Sequence, residues 1–167
     1  TMGDLTVEEM ADRIKKFGKL TIDERTGAGS LEIIQKRLMP EDVEIILELF
    51  RRFTEMQHVR FQRCFMTDDI LKRIVNEGLC HLRHLKSLFL PFNMLSDSSA
   101  DLIIESFAKL SRQLQHLDCR SNTFSEEKAA DLYGAFPAIQ TLNEIPVYRS
   151  KRDTEVTAID LNKKSLK

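Results

Sequence analysis

Tryptophan is absent from this chain, and proline (four) and glycine (six) are sparse among its 167 residues. So thin a supply of breakers excludes collagen-like and low-complexity architectures. Cysteine is scarce too: Cys64, Cys80 and Cys119 are odd in number, far apart and without CxxC spacing. That argues against a disulfide framework and a zinc site, and for buried free thiols in a reducing compartment. No charge sign dominates, the formal net value being −1, so no global field recruits nucleic acid or an anionic membrane. No apolar run reaches the roughly 18 residues of a membrane span, and the stretch from Thr1 to Gly18 is charged and amphipathic, without a signal-peptide core. A cytoplasmic protein is expected.

Catalytic signatures are missing as well. Gly27-x-Gly29 lacks the third glycine and the flanking strand and helix of a phosphate-binding loop. No serine or cysteine has a base evident from sequence, so neither an enzyme nor a cofactor nor a small-molecule substrate is expected.

What is present is an ordinary globular composition, 42% apolar and 31% charged, at about the length of one domain. Residues 85–95, LKSLFLPFNML, are strongly apolar in an order that fits no helix. Numbering this run one to eleven puts Leu85, Leu88, Leu90, Asn93 and Leu95 at positions one, four, six, nine and eleven. Twenty-nine residues later the same positions hold Leu114, Leu117, Cys119, Asn122 and Phe124; twenty-nine earlier they hold Met56, Val59, Phe61, Cys64 and Met66. A weaker copy lies a further 28 residues back, with Leu31, Ile33 and Leu38 in place but Ala28 at position one and Lys36 at position nine.

Between copies the period turns helical. PEDVEIILELFRRF offers Pro40 for a first helical position, acids in the first turn, and Val43, Ile46, Leu47 and Phe50 on one face. Ile70, Leu71, Ile74 and Val75 recur in the same way, as do Leu102, Ile103, Phe107 and Leu110, and then Ala129, Leu132, Tyr133 and Phe136. Each repeat therefore reads as strand, turn and helix, too small to bury its apolar faces unless neighbours stack.

LxxLxLxxNxL with a helix in every return segment resembles the leucine-rich repeats of the ribonuclease-inhibitor subtype, over residues 28–142. That resemblance implies a right-handed α/β solenoid, with a parallel sheet on the concave side and helices on the convex side. It also makes Cys64 an accepted substitute for asparagine, and leaves Lys36 as the departure from the pattern. In such an architecture the leucine positions stack inward as columns, which include Phe61 and Cys119. Asn93 and Asn122 would bond buried backbone groups where each strand turns away.

The flanks divide the chain further. Residues 1–27 read as a cap: a helix with a Thr6/Glu9 capping box and a glycine stop at Gly18, then an edge strand or loop turning through Gly27 and Gly29. Residues 143–167 read as a closing segment, a charged loop and a final strand with Val156, Ile159, Leu161 and Leu166. That last strand either completes a terminal hairpin or begins another repeat.

In the architecture that the resemblance implies, positions two, three, five, seven and eight point out of the concave sheet. Position five reads Glu32, Arg60, Phe89, Asp118; position seven Ile34, Gln62, Pro91, Arg120; position eight Gln35, Arg63, Phe92, Ser121. An apolar centre of Phe89, Pro91 and Phe92, rimmed by Arg60, Arg63 and Arg120, has the composition of a protein-binding hot spot, with Asp118, His58 and His116 beside it. The competing reading folds the rings over the turn to pack within the chain. His58 and His116 share position three but stand two strands apart, roughly 10 Å, too far to share a metal without further ligands.

The function expected is a scaffold or assembly subunit that binds another protein, through the concave sheet, or a second copy of itself, in a cytoskeletal or other large complex. The alternative is a regulator of enzymes, such as the inhibitors and GTPase-activating proteins that the repeat subtype resembles. Nucleic acid is the weaker option: Arg51, Arg52, Arg60 and Arg63 favour it, while Glu41, Asp42, Glu44 and Glu48 offset them.

Overall fold

In the computed structural model, which describes residues 1–108, 114–136, 139–143, 145 and 146, the chain is a mixed α/β structure built on one sheet. Its strands are β1 (Lys19–Ile22), β2 (Gly29–Ile34), β3 (Met56–Gln62), β4 (Ser87–Phe89), β5 (His116–Asp118), β6 (Thr141–Leu142) and β7 (Ile145–Pro146). They lie side by side in sequence order. Pairing is parallel from β2 to β6 and antiparallel at both edges, where β1 joins β2 and β7 joins β6.

One helix returns the chain between each pair of parallel strands: α2 (Pro40–Arg52), α3 (Asp68–Glu77), α4 (Asp97–Ile103, running on as a π-helical stretch Ile104–Ala108) and α5 (Glu126–Ala135). With α1 (Val7–Lys15) these helices contact one another in the same sequential order as the strands. Among the described residues no helix is long and apolar enough to cross a membrane.

The helix boundaries follow local chemistry. Thr6 accepts a hydrogen bond from the Glu9 amide at 3.0 Å and Glu9 accepts one from the Thr6 amide at 3.2 Å, so the expected capping box opens α1. At its end the Gly18 amide donates to the Ile14 carbonyl at 2.8 Å. Pro40 opens α2, with Asp42 accepting from the Met39 amide at 2.8 Å. Capping also links neighbouring turns: Asp68 accepts from the Ser96 amide at 2.8 Å and Asp97 from the Ser125 amide at 2.7 Å.

The register reproduces the sequence period. Val59, Leu88 and Leu117 align across β3, β4 and β5, and Leu31 and Leu142 extend that row on either side. Positions four and six are buried in every copy, from Leu31 and Ile33 to Leu117 and Cys119, and they form the core with the inner faces of the helices. Burying such side chains stabilises each by about 1.5–3 kcal/mol, which only stacking makes available.

Asn93 performs the expected turn chemistry. Its side-chain oxygen accepts from the Cys64 and Met66 amides at 3.0 and 3.2 Å, while its amide donates to the Phe61 and Leu90 carbonyls at 2.7 and 3.1 Å. Cys64 stands in for asparagine one turn earlier, its thiol donating to the Ile33 carbonyl at 3.3 Å. Lys36 has no such role and instead pairs with Asp42 at 3.3 Å. At the far edge Asn143, with φ of 54°, turns β6 into β7, and its side chain accepts from the Cys119 amide at 2.8 Å. The expected final strand with Val156, Ile159, Leu161 and Leu166, and Leu110 of the third helical pattern, fall outside the described residues.

Candidate protein-binding surface

The helices and leucine columns occupy one side of the sheet, which leaves the odd positions of each strand on the other. Position three forms the row Ser30, His58, Ser87, His116 and Thr141. Nδ1 of His58 lies 2.7 Å from the Ser87 hydroxyl, and Nδ1 of His116 lies 2.8 Å from the Thr141 hydroxyl. Ser87 therefore separates the two imidazoles in the row. Among the described residues no group of three or more His, Cys, Asp or Glu side chains is placed to hold a metal ion.

Partial burial, and then the charges of His116 and Lys86, hold the His58 imidazole below its ordinary pKa of 6.5. A lowered folded value favours the neutral ring, so this contribution to stability is present above pH 6.5 and fades as pH falls through the folded value. An NMR titration should show His58 with a midpoint below 6.5, and His58→Gln should remove its share of the acid-side loss of stability. A midpoint at or above that value would contradict the assignment.

Position five carries the first arginine–phenylalanine contact. Arg60 and Phe89 are register partners on β3 and β4, and the guanidinium sits 4.4 Å from the ring centre. Arg60 also lies 3.9 Å from Glu32 and donates to Gln62 at 2.9 Å. Position eight repeats the motif, with Arg63 over the Phe92 ring at 4.1 Å and Arg120 at 5.7 Å on the same ring.

A backbone cause puts these side chains where they are. Gln35, Arg63, Phe92 and Ser121 all have positive φ, between 54° and 58°, although none is glycine. A left-handed residue costs about 1–2 kcal/mol. Here it is held by the last ladder bonds, from the Gln35, Arg63 and Phe92 amides to the Gln62, Pro91 and Arg120 carbonyls at 2.9, 3.2 and 3.1 Å. Each strand thus ends by turning its position-eight side chain toward that of the neighbouring strand.

Three expected members of the exposed patch are not exposed. Asp118 is 0% and Arg120 8% accessible, the Arg120 Nε lying 3.5 Å from the Asp118 carboxylate. Pro91 is buried as well. Phe89 and Phe92 are half-buried beneath arginines, while Arg63 and His58 are exposed. The open surface is therefore an arginine-on-phenylalanine array rather than an apolar centre with a charged rim.

The larger exposed apolar side chains lie elsewhere. Phe65 and Met94, at position ten, are 50% and 56% exposed, and Val7, Ile34 and Met39 are exposed as well. Reading position ten down the repeats, as Arg37, Phe65, Met94 and Thr123, would have found them. Arg37 stacks on Phe65 at 4.4 Å, a third instance of the same contact.

The basic cluster expected to favour nucleic acid is divided by the fold. Arg51 and Arg52 bind Glu48 at 3.5 and 3.0 Å, and Arg52 also donates to the Leu5 and Met2 carbonyls at 2.6 and 3.0 Å. They belong to α2 and the N-terminal cap, whereas Arg60 and Arg63 belong to the sheet.

The expectation of three buried thiols holds for Cys64 and Cys119, but Cys80 is exposed at the short turn after α3. Burial pushes the Cys64 thiol up to about 11, and burial followed by the Asp118 charge holds the Cys119 thiol well above its ordinary value. Iodoacetamide should therefore label one thiol of the native protein rapidly, and all three only after denaturation. Rapid labelling of Cys119 in the native state would contradict its placement.

No protein-family model matches this chain, and neither does any curated protein.

Proposed function

We propose that the chain is a leucine-rich-repeat solenoid of the ribonuclease-inhibitor-like subtype, acting as a non-catalytic protein-binding module of the cytoplasm. The observation that carries this reading is the array of Arg60 on Phe89 and Arg63 on Phe92 on the sheet face opposite the helices. Stacking holds long cationic side chains flat at little further entropic cost, and leaves their N–H edges able to meet a partner. Aromatic and arginine side chains are the residues most enriched among binding hot spots.

The test is a double substitution. Phe89→Ala with Phe92→Ala should weaken binding to a captured partner by about 2 kcal/mol or more, on the order of thirtyfold in Kd, with the fold retained. Capture of the same partner at equal strength would overturn this use of the face.

A further inference from the structure

Beside the sheet face runs a groove of about 570 Å³, lined by Gln35, Arg63, Phe65, Phe92, Met94 and Ser121 together with the inner surface at Asn93. We infer that this groove takes a short extended peptide segment of a partner, one that is acidic and carries large apolar side chains. The inference rests on the protein-binding reading and names the partner's chemistry.

The walls of the groove follow from the repeat. Positions eight and ten of successive turns form two parallel ridges, and the left-handed residue at position eight turns the first ridge toward the second. Four turns span about 14 Å at the spacing of adjacent strands, enough for four or five extended residues at about 3.3 Å each. The floor is apolar, with Phe65 and Met94 about half exposed.

Charge selects the occupant. Arg37 and Arg63 lie flat on Phe65 and Phe92, and among the described residues neither has a carboxylate within 4.0 Å. Among the described residues no acidic side chain lines the groove. Two guanidinium groups without a carboxylate, beside an apolar floor, fit a segment that alternates acids with large apolar residues. A nucleic acid fits less well, because the chain carries no net positive charge to hold a polyanion beyond the groove. The chain's own residues 148–167 have the wrong sign: Arg149, Lys151, Arg152, Lys163, Lys164 and Lys167 against Asp153, Glu155 and Asp160.

The experiment pans a phage-displayed random dodecapeptide library on the full chain, then measures labelled copies of the selected peptides by fluorescence anisotropy. The expected peptides alternate Asp or Glu with Leu, Ile or Phe. They should lose at least tenfold in affinity with Phe65→Ala plus Met94→Ala, and at least tenfold with Arg37→Glu plus Arg63→Glu. Phe89→Ala should leave them unchanged. Replacing their acids with lysine should abolish binding, and a labelled ten-residue oligo-dT should bind at least tenfold more weakly.

Neutral or basic selected peptides, preferred oligo-dT, or indifference to both groove variants would each overturn the assignment. Peptides lost with Phe89→Ala but kept by the groove variants would overturn the groove while leaving the protein-binding reading intact. Failure to select any peptide would overturn the groove alone, since a folded partner on the sheet face is scored separately by Phe89→Ala, a residue that does not line the groove.

Discussion

Asn93→Ala should lower the stability of the protein by about 3 kcal/mol, the upper part of the range for leaving buried polar groups unsatisfied. The side chain is only 8% exposed and serves five backbone groups on two turns: the Cys64 and Met66 amides, and the Phe61, Leu90 and Pro91 carbonyls. Alanine supplies neither donor nor acceptor to these groups. For a chain of this size the melting midpoint should fall by roughly 6–12 °C. Asn122→Ala should cost less, because Asn122 is half-buried and among the described residues its oxygen accepts only from the Leu95 amide, at 3.1 Å. An unchanged midpoint in Asn93→Ala would remove the turn chemistry from the account.

Gly29→Ala should be comparably damaging, for a steric reason. A Cβ at Gly29 would stand 2.2 Å from the Thr21 carbonyl oxygen and 3.2 Å from the Ile22 Cα, both backbone atoms of β1 that cannot rotate away. The strand has to move, and with it the pairing of Lys19–Ile22 to β2. Met10 and Ile14 of α1, both fully buried, lie on the same cap. Overpacking of this kind costs about 3 kcal/mol at the upper end of the usual range. Amide exchange should accelerate across β1 and α1 while β4 and β5 keep their protection. Undisturbed exchange at Thr21 and Ile22 would show that the two strands do not meet in this way.

What could be read from the sequence was whatever depends on spacing. Leu31, Val59, Leu88 and Leu117 fall in one buried row because a parallel sheet with helical returns tolerates no other register for its columns. Asn93 was legible for the same reason, since position nine always faces a turn. The burial of Pro91, Asp118 and Arg120 was not legible, because it depends on how long side chains from neighbouring turns lie across one another. Alternation puts Arg120 outward; only its contacts with Asp118 and the Phe92 ring show that it lies flat rather than standing in water. Position ten escaped notice because it sits past the strand, in the turn. There Phe65 takes a φ of 54° that its residue type does not announce.

The central claim is that a protein partner docks on the sheet face and not on the helices. Hydroxyl-radical footprinting of the captured complex tests it most directly, since each side chain reports its own solvent access. On binding, His58, Phe89 and Phe92 should lose reactivity, while Tyr133 and Leu102 on the helical side keep theirs. Protection confined to the helical side chains, with His58 and Phe92 as reactive as in the free chain, would contradict the account.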